Sequence, residues 1–300
     1  MLALTILGNN SAIPAFGRNP TAQILQTQDE AFLIDCGEGT QLQLSRYKIK
    51  RSKISHIFIS HLHGDHYFGL IGLLTSMSML NRTQELHLHG PAALEPIIRM
   101  QLEAGATSIS YPFYFHPLGE EGVIADTKKM QVTCFRVKHR IDCWGFLFRE
   151  KRKPRSIDAD KARSYEIPAS FYEQLQNGED YVTKKGTIIP NGEVTVANAK
   201  PRSYAYCADT IYDPSLAEKV KEVDLLYHET TYLKDLEQRA ADRFHCTTVQ
   251  AADIARRACA GKLIIGHFSS KYEVLDAFLE ETRAVFENTM LAQEGVCFVI

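Results

Sequence analysis

Four residues able to bind a divalent cation fall within one short run, His61-Leu62-His63-Gly64-Asp65-His66. Neutral imidazoles and a carboxylate are the usual donors for zinc, and donors this dense have no explanation in packing. The run follows directly on Ile57-Phe58-Ile59-Ser60, which reads as a buried strand. Gly64 lets the backbone fold tightly between the two halves, so His61 and His63 can serve one metal while Asp65 and His66 reach another. The plainer alternative is a surface histidine cluster, but such clusters rarely begin where a buried strand stops.

A metal pair needs more ligands than one loop supplies. His139 follows the strand-like stretch from Gln131 to Lys138, Asp209 follows Tyr204 to Ala208, and His267 follows Leu263 to Gly266. Each stands at the exit of a predicted strand, where open α/β sheets gather their functional groups. Taken singly, each reads as a satisfied polar residue; together, after a motif that lacks partners, they read as ligands. Charge and geometry then suggest His61, His63 and His139 on one metal, Asp65, His66 and His267 on the other, and Asp209 bridging. Two cations so placed lower the pKa of shared water toward neutrality and can clamp the oxygens of a phosphodiester under in-line attack. The expected cofactor is two Zn2+ per subunit; Mn2+ accepts the same donors.

These side chains need a scaffold. Strand-like apolar segments recur at Leu4 to Leu7, Ala31 to Cys36, His56 to Ser60, Leu86 to His89, Met130 to Val137, Trp144 to Phe148, Tyr204 to Ala208, Leu225 to Tyr227, Leu263 to Gly266 and Val296 to Ile300. Asp213-Pro214 looks like an N-cap with proline at the first helical position, opening a helix through Val220. Thr247 or Thr248 can cap a second helix through Ala258, and Glu273 to about Leu291 has helical periodicity. This is an α/β chain. The stretch from about 151 to 200 differs, being rich in Lys, Glu, Asp, Pro and Gly with little periodicity, and reads as an inserted arm.

Bulk properties narrow the function. The chain has 300 residues, 45% of them apolar and 23% charged, with a formal net charge of −2, ordinary for a globular enzyme that buries a large core without staples. Nucleic-acid binding must therefore come from local patches. Candidates are the run Lys48, Lys50, Arg51, Lys53 and the run Lys151, Arg152, Lys153, Arg155; either one alone reads first as a solvated face. The seven cysteines are odd in number and never spaced C-x-x-C, which argues against a disulfide framework or a thiolate zinc knuckle and for a reducing cytoplasm. Met1 to Gly8 reads as a first strand rather than a signal peptide, and no apolar run approaches the roughly 20 residues of a membrane helix.

The ligand order, His-x-His-x-Asp-His followed by a distant His, an Asp and a last His, resembles the metallo-β-lactamase superfamily. Smaller signatures resemble its tRNase Z branch: Gly17-Arg18-Asn19, Asp35-Cys36-Gly37-Glu38-Gly39-Thr40-Gln41, Phe68-Gly69-Leu70, Tyr206-Cys207-Ala208-Asp209-Thr210, His228-Glu229-Thr230-Thr231, His245-Cys246-Thr247-Thr248 and His267-Phe268-Ser269-Ser270-Lys271-Tyr272. They run in the family's order along almost the whole chain. The resemblance implies a four-layer αβ/βα sandwich spanning 1–300 as a single domain, with the arm inserted at about 151–200. It also implies an endoribonuclease that removes 3′ trailers from precursor tRNA, acting as a homodimer.

For individual residues, the resemblance implies that Asp65 binds metal and helps orient or deprotonate the attacking water. His245 would protonate the departing 3′ oxygen, and Glu229 would hold that imidazole in place. Lys271 stands where the family more often has arginine; it keeps the charge near the scissile phosphate but loses the bidentate fork. The arm is expected to contact tRNA, with Lys151, Arg152 and Lys153 as phosphate contacts. Its Gly-Pro-rich tip is replaced by Ile167-Pro168-Ala169-Ser170-Phe171-Tyr172. The nearest rival keeps the metals and takes a small phosphodiester or trims RNA as a 3′ exoribonuclease. A di-iron oxidoreductase of the same fold would need a glutamate in the first motif and a flavin-binding partner domain; the position is His63.

Overall fold

The computed structural model describes residues 2–300. Apolar runs become strands β1 (Ala3–Gly8), β2 (Ala22–Gln26), β3 (Ala31–Ile34), β4 (Ile54–Phe58), β5 (Leu86–Pro91), β6 (Phe113–Leu118), β7 (Gly122–Asp126), β8 (Met130–Val137) and β9 (Cys143–Glu150). Four two-residue strands follow: β10 (Ser156–Ile157), β11 (Tyr181–Val182), β12 (Ile188–Ile189) and β13 (Thr195–Val196). The chain then forms β14 (Ser203–Cys207), β15 (Leu225–Glu229), β16 (Leu263–Gly266), β17 (Thr289–Leu291) and β18 (Cys297–Val299).

Two seven-stranded sheets result, ordered β18-β1-β2-β3-β4-β5-β6 and β17-β16-β15-β14-β9-β8-β7. In the first, β3 to β6 pair in parallel; in the second, β14 to β17 do. Side chains alternate across a strand, so each sheet has an inner and an outer apolar face. Phe32 and Phe58 from one sheet meet Phe146, Phe148, Tyr204 and Tyr206 from the other in a shared core, with Phe58 5.4 Å from both Phe146 and Phe148. Outside the first sheet lie Leu44, Leu73, Leu74 and Leu94 from helices Thr40–Arg46, Leu70–Met79 and Leu94–Ala104. Outside the second, Ala251, Ala252 and Ala255 of helix Thr248–Arg257 cover Ala205, Leu226 and Ile265. The fold is a four-layer αβ/βα sandwich.

Local signals explain most boundaries. Thr247 caps helix Thr248–Arg257 in a reciprocal box with Gln250. Asp213 Oδ1 accepts from the Ser215 amide at 3.1 Å, as an N-cap does, although regular helix begins only at Leu216. The helical reading of Glu273 to Leu291 requires correction. Helix occupies only Asp276–Arg283, and Thr289–Leu291 pair in parallel with β16. Helical periodicity within the segment gave way to the unpaired ladder groups on the edge of β16, which only an extended partner satisfies.

Two compact units make up the chain, one of residues through Arg149 together with Arg202–Ile300, the other Glu150–Pro201. The second has its own small core of Ala162, Ile167, Leu175, Ile189 and Val194. Asn191 binds it together, its amide donating to the carbonyls of Leu175 (2.8 Å) and Glu179 (2.9 Å). Ile167 and Phe171 of the substituted tip sequence pack into or against this core. No helix among the described residues is long and apolar enough to cross a membrane.

Four histidines lie side by side on β4, β5 and β6. His56 stacks on His87 at 4.8 Å, and His89 stacks between Phe58 (4.8 Å) and His116 (4.5 Å). Both ring nitrogens of His89 are buried without a hydrogen-bond partner. Burial, reinforced by the neighbouring imidazoles, pushes His56 down to about 4 and His89 to about 2. A folded-state pKa below the ordinary 6.5 means that the neutral ring is the stabilising form. That contribution is complete above the ordinary value and is lost as pH falls below it. Replacing His89 with Phe keeps the stack and removes two unsatisfied nitrogens. The H89F variant is expected to unfold in urea at no lower midpoint near pH 7, with a smaller drop in midpoint between pH 7 and 5 than the parent shows. An unchanged drop would remove His89 from the acid response.

Candidate metal centre

Seven side chains from four places in the sequence meet at one edge of the two sheets. The loop after β4 carries His61, His63, Asp65 and His66; His139 follows β8, Asp209 follows β14 and His267 follows β16. One potential ligand atom each from His61, His63, His139 and Asp209 lies within 4.8 Å of the others, and so it is for Asp65, His66 and His267. Asp209 belongs to both neighbourhoods: its Oδ2 is 3.5 Å from His61 Nε2 and 3.4 Å from His66 Nε2, while its Oδ1 is 3.2 Å from His267 Nε2. Fully buried His61 and His66 sit at the floor.

The outward ring nitrogens show why these imidazoles point inward as bare donors. His66 Nδ1 donates to Asp35 Oδ2 at 2.7 Å, and His139 Nδ1 donates to the Phe244 carbonyl at 3.0 Å. His61 Nδ1 is 3.0 Å from Ser60 Oγ, whose hydroxyl donates to Asp35. His267 Nδ1 is 3.0 Å from Thr231 Oγ1, whose hydroxyl donates to Glu229. In its neutral form each ring therefore spends its single hydrogen on the outside, leaving an unprotonated Nε2 within. His66 Nε2 and His267 Nε2 then face each other at 3.3 Å. His63 Nδ1 lies 3.0 Å from His61 Nε2 and 3.1 Å from His139 Nε2, so one hydrogen there satisfies at most one of them. Opposed lone pairs at these distances repel unless a cation lies between them. Asp209 Oδ1, buried without a hydrogen-bond donor, completes the requirement, and the donor set fits a metal-binding site.

The electrostatics agree. Burial, with like-charged neighbours, keeps His61 well below the ordinary imidazole value and brings His63 down to about 4. Burial opposes ionisation of Asp209, but His267 and His66 outweigh it and hold the carboxyl well below its usual range. Burial equally opposes a charge on His66, yet Asp209, Asp65 and Asp35 raise it strongly. The pocket thus draws positive charge to the place where the two ligand groups meet.

A second pair stands beside this centre. His245 Nδ1 donates to Glu229 Oε1 at 2.8 Å, and Glu229, fully buried, also accepts from the amides of Thr210 (3.2 Å) and Thr231 (3.1 Å). Burial works against the imidazolium, but the Glu229 carboxylate overrides it and lifts His245 to about 9. His245, with Asp65, Asp209, His267, Phe68 and Arg140, lines an open cleft of about 340 Å³.

Other expected residues lie elsewhere. Lys271 is exposed with its Nζ 5.5 Å from the Tyr272 ring, and it is not among the cleft-lining residues. Lys151, Arg152 and Lys153 are exposed residues of the second unit. Sequence reasoning also missed supporting groups. Asp35 was visible only as part of a motif, yet it accepts from His66, Ser60 and the Tyr206 hydroxyl (2.6 Å). Arg18 braces the loop after β1 against the loop after β16, its Nη1 donating to the Glu273 carbonyl at 3.0 Å. The signal available for both was a charged residue in an otherwise turn-forming stretch. Backbone conformation marks Asp35 and His267 again, with left-handed φ of 55° and 63°, a conformation that costs of order 1–3 kcal/mol and clusters at functional sites.

Loss of the Asp35 charge frees the His66 ring and unseats Ser60. Asp35→Asn is expected to weaken metal binding by about 10–100-fold, the usual effect of removing a support of this kind, as read by competition with a chromogenic chelator. Unaltered affinity would show that packing alone orients His66.

Comparison with known proteins agrees with this geometry. The family model described as Anti-Pycsar protein Apyc1 matches residues 2–176. Ribonuclease Z of Bacteroides thetaiotaomicron is 43% identical over 299 residues, covering 99% of this chain and 95% of that protein. Among solved structures, the short form of human tRNase Z superposes with a TM-score of 0.73 at 26% identity, covering 99% of each chain. The metallo-β-lactamase fold protein YhfI from Bacillus subtilis gives a TM-score of 0.69 at 19% identity, covering 99% of this chain and 98% of its own, a likeness of fold. The chain belongs to the family that the Anti-Pycsar protein Apyc1 model describes and, along its whole length, to the ribonuclease Z family.

Proposed function

We propose that this chain is a zinc-dependent endoribonuclease that cuts the 3′ trailer from precursor tRNA, leaving a 3′ hydroxyl on the tRNA and a 5′ phosphate on the trailer. It is a metal-dependent hydrolase acting on RNA, as its full-length relatives named ribonuclease Z support. One observation carries the reading: seven ligand atoms converge on the floor of a cleft whose wall holds the His245–Glu229 pair.

His61, His63 and His139 would hold one Zn2+, Asp65, His66 and His267 the other, with Asp209 shared. When bound, two such cations lower the pKa of water toward neutrality and offset charge building on the phosphoryl oxygens. Asp65 takes the proton of the attacking water. Its carboxylate is kept ionised by His66 and His267 against the cost of burial, and its Oδ2 is oriented by the Ala12 amide at 2.7 Å. As the bond from phosphorus to the 3′ oxygen breaks, His245 donates a proton to that oxygen, a leaving group too basic to depart unaided. Glu229 keeps the imidazole charged and aimed. A homodimer in the cytoplasm belongs to the same proposal; the free, mostly buried cysteines suit a reducing compartment.

Mapping the cut on a precursor tRNA tests the assignment. A single cleavage at the start of the trailer supports it; stepwise shortening from the 3′ end would make the chain an exoribonuclease. Activity on bis(p-nitrophenyl) phosphate alone would make it a small-substrate phosphodiesterase. His245→Ala is expected to slow precursor tRNA cleavage by about 10²–10⁴-fold, the usual range for a positioned acid, while bis(p-nitrophenyl) phosphate, with its good leaving group, loses far less. Equal losses would give His245 a structural role instead.

A further inference from the structure

Away from the cleft, the run from Lys48 to Lys53 separates two further cavities of about 360 and 600 Å³ that share Lys48, Ile49 and Lys50 as their common wall. Lys53 lines the smaller, and Arg51 and Arg82 line the larger. Among the described residues, no carboxylate lines either one. In a chain with 36 acidic and 34 basic residues, five cations around adjoining cavities without one acid form a strong local exception to the global balance.

Several cations are held in place yet not neutralised. Arg82 is buried and donates to the carbonyls of Gln84 (2.7 Å), Arg51 (3.3 Å), Ile54 (2.8 Å) and Glu85 (2.7 Å). Those contacts pin the backbone of the basic run without cancelling its charge. Arg51 donates to the Gln41 carbonyl, but its Nε is buried without an acceptor. Lys48 and Lys50 are exposed and form no ion pair among the described residues. The larger cavity adds an apolar lining of Leu44, Ile49, Met77 and Leu80, the last 63% exposed. Fixed cations beside an apolar surface suit a phosphate chain that carries flat bases, since bases rest on apolar groups while the backbone follows the charge.

We propose that this basic groove binds a single-stranded segment of RNA away from the cut, an inference that rests on RNA being the substrate. Net repulsion by a chain of charge −2 makes such a patch useful, because phosphate contacts supply affinity without altering the chemistry at the metal centre.

The test is the salt dependence of binding to a fluorescent oligouridylate by Lys48→Asn/Lys50→Gln. Asn suits position 48, where the backbone φ is 56°. Loss of two phosphate contacts on a single strand is expected to lower the slope of log affinity against log salt by about 1.4, at about 0.7 per contact, which is about 25-fold weaker binding at 0.1 M salt relative to 1 M. Turnover of bis(p-nitrophenyl) phosphate should stay at the parent rate, showing an intact metal centre, and Lys48→Arg/Lys50→Arg should retain the parent slope. A parent-like slope in the neutral variant overturns the proposal, even where precursor tRNA is cut as expected. The lower slope supports the groove even where precursor tRNA proves not to be the substrate. Competition by ATP as strong as that by the oligouridylate would also overturn it, making this a mononucleotide site.

Discussion

A hydrogen atom on the outer nitrogen of four imidazoles is the constraint on which this site depends. Asp35 and the Phe244 carbonyl take it from His66 and His139 directly, and Ser60 and Thr231 take it from His61 and His267 while passing their own hydrogens to Asp35 and Glu229. Two buried carboxylates thereby govern three of the rings. With the outer positions spoken for, the inner nitrogens can only accept, and a cation becomes the natural partner for them. Glu229 joins this framework to the neighbouring imidazole, since the same carboxylate that receives the Thr231 hydroxyl also orients His245.

The sandwich exists to bring these groups to one edge. Parallel strands β3, β4, β14, β15 and β16 end together, so Asp35, the histidine-rich loop, Asp209, the Glu229 segment and His267 emerge on the same side of the two sheets. Aromatic packing between the sheets fixes their separation, and Tyr206 uses that packing to reach from the second sheet to Asp35 at the end of the first. Polar groups so deeply buried are tolerable because nearly all are satisfied; Asp209 Oδ1, which is not, stands where a positive charge belongs.

Much of this was legible in the sequence. Buried parallel strands are continuous apolar runs, so Tyr204 to Ala208 or Leu263 to Gly266 announce themselves, and a ligand is expected where each run stops. Supports were harder to see. Ser60 and Thr231 are small hydroxyl residues with a dozen ordinary uses, and their role depends on rings brought from elsewhere in the chain. The helical reading of Glu273 to about Leu291 held over Asp276–Arg283 and failed beyond it for another reason: local periodicity fits a helix, while the need to pair the exposed edge of β16 converts the last three residues to strand. The stretch from Glu150 to Pro201 shows little periodicity because its core consists of a few isolated side chains, Leu175 and Val194 among them, joined across turns rather than along a helix. Charge runs were ambiguous by nature, since the sequence does not reveal whether acidic residues gather around Lys48 and Lys50.

X-ray absorption at the zinc edge of the purified, zinc-loaded protein tests the central claim most directly. Convergent imidazole and carboxylate donors predict a first shell of nitrogen and oxygen only, at about 2.0–2.1 Å, with imidazole scattering and a metal neighbour at about 3.5–4 Å. A sulfur shell, or zinc surrounded by oxygen without imidazole, would contradict the account.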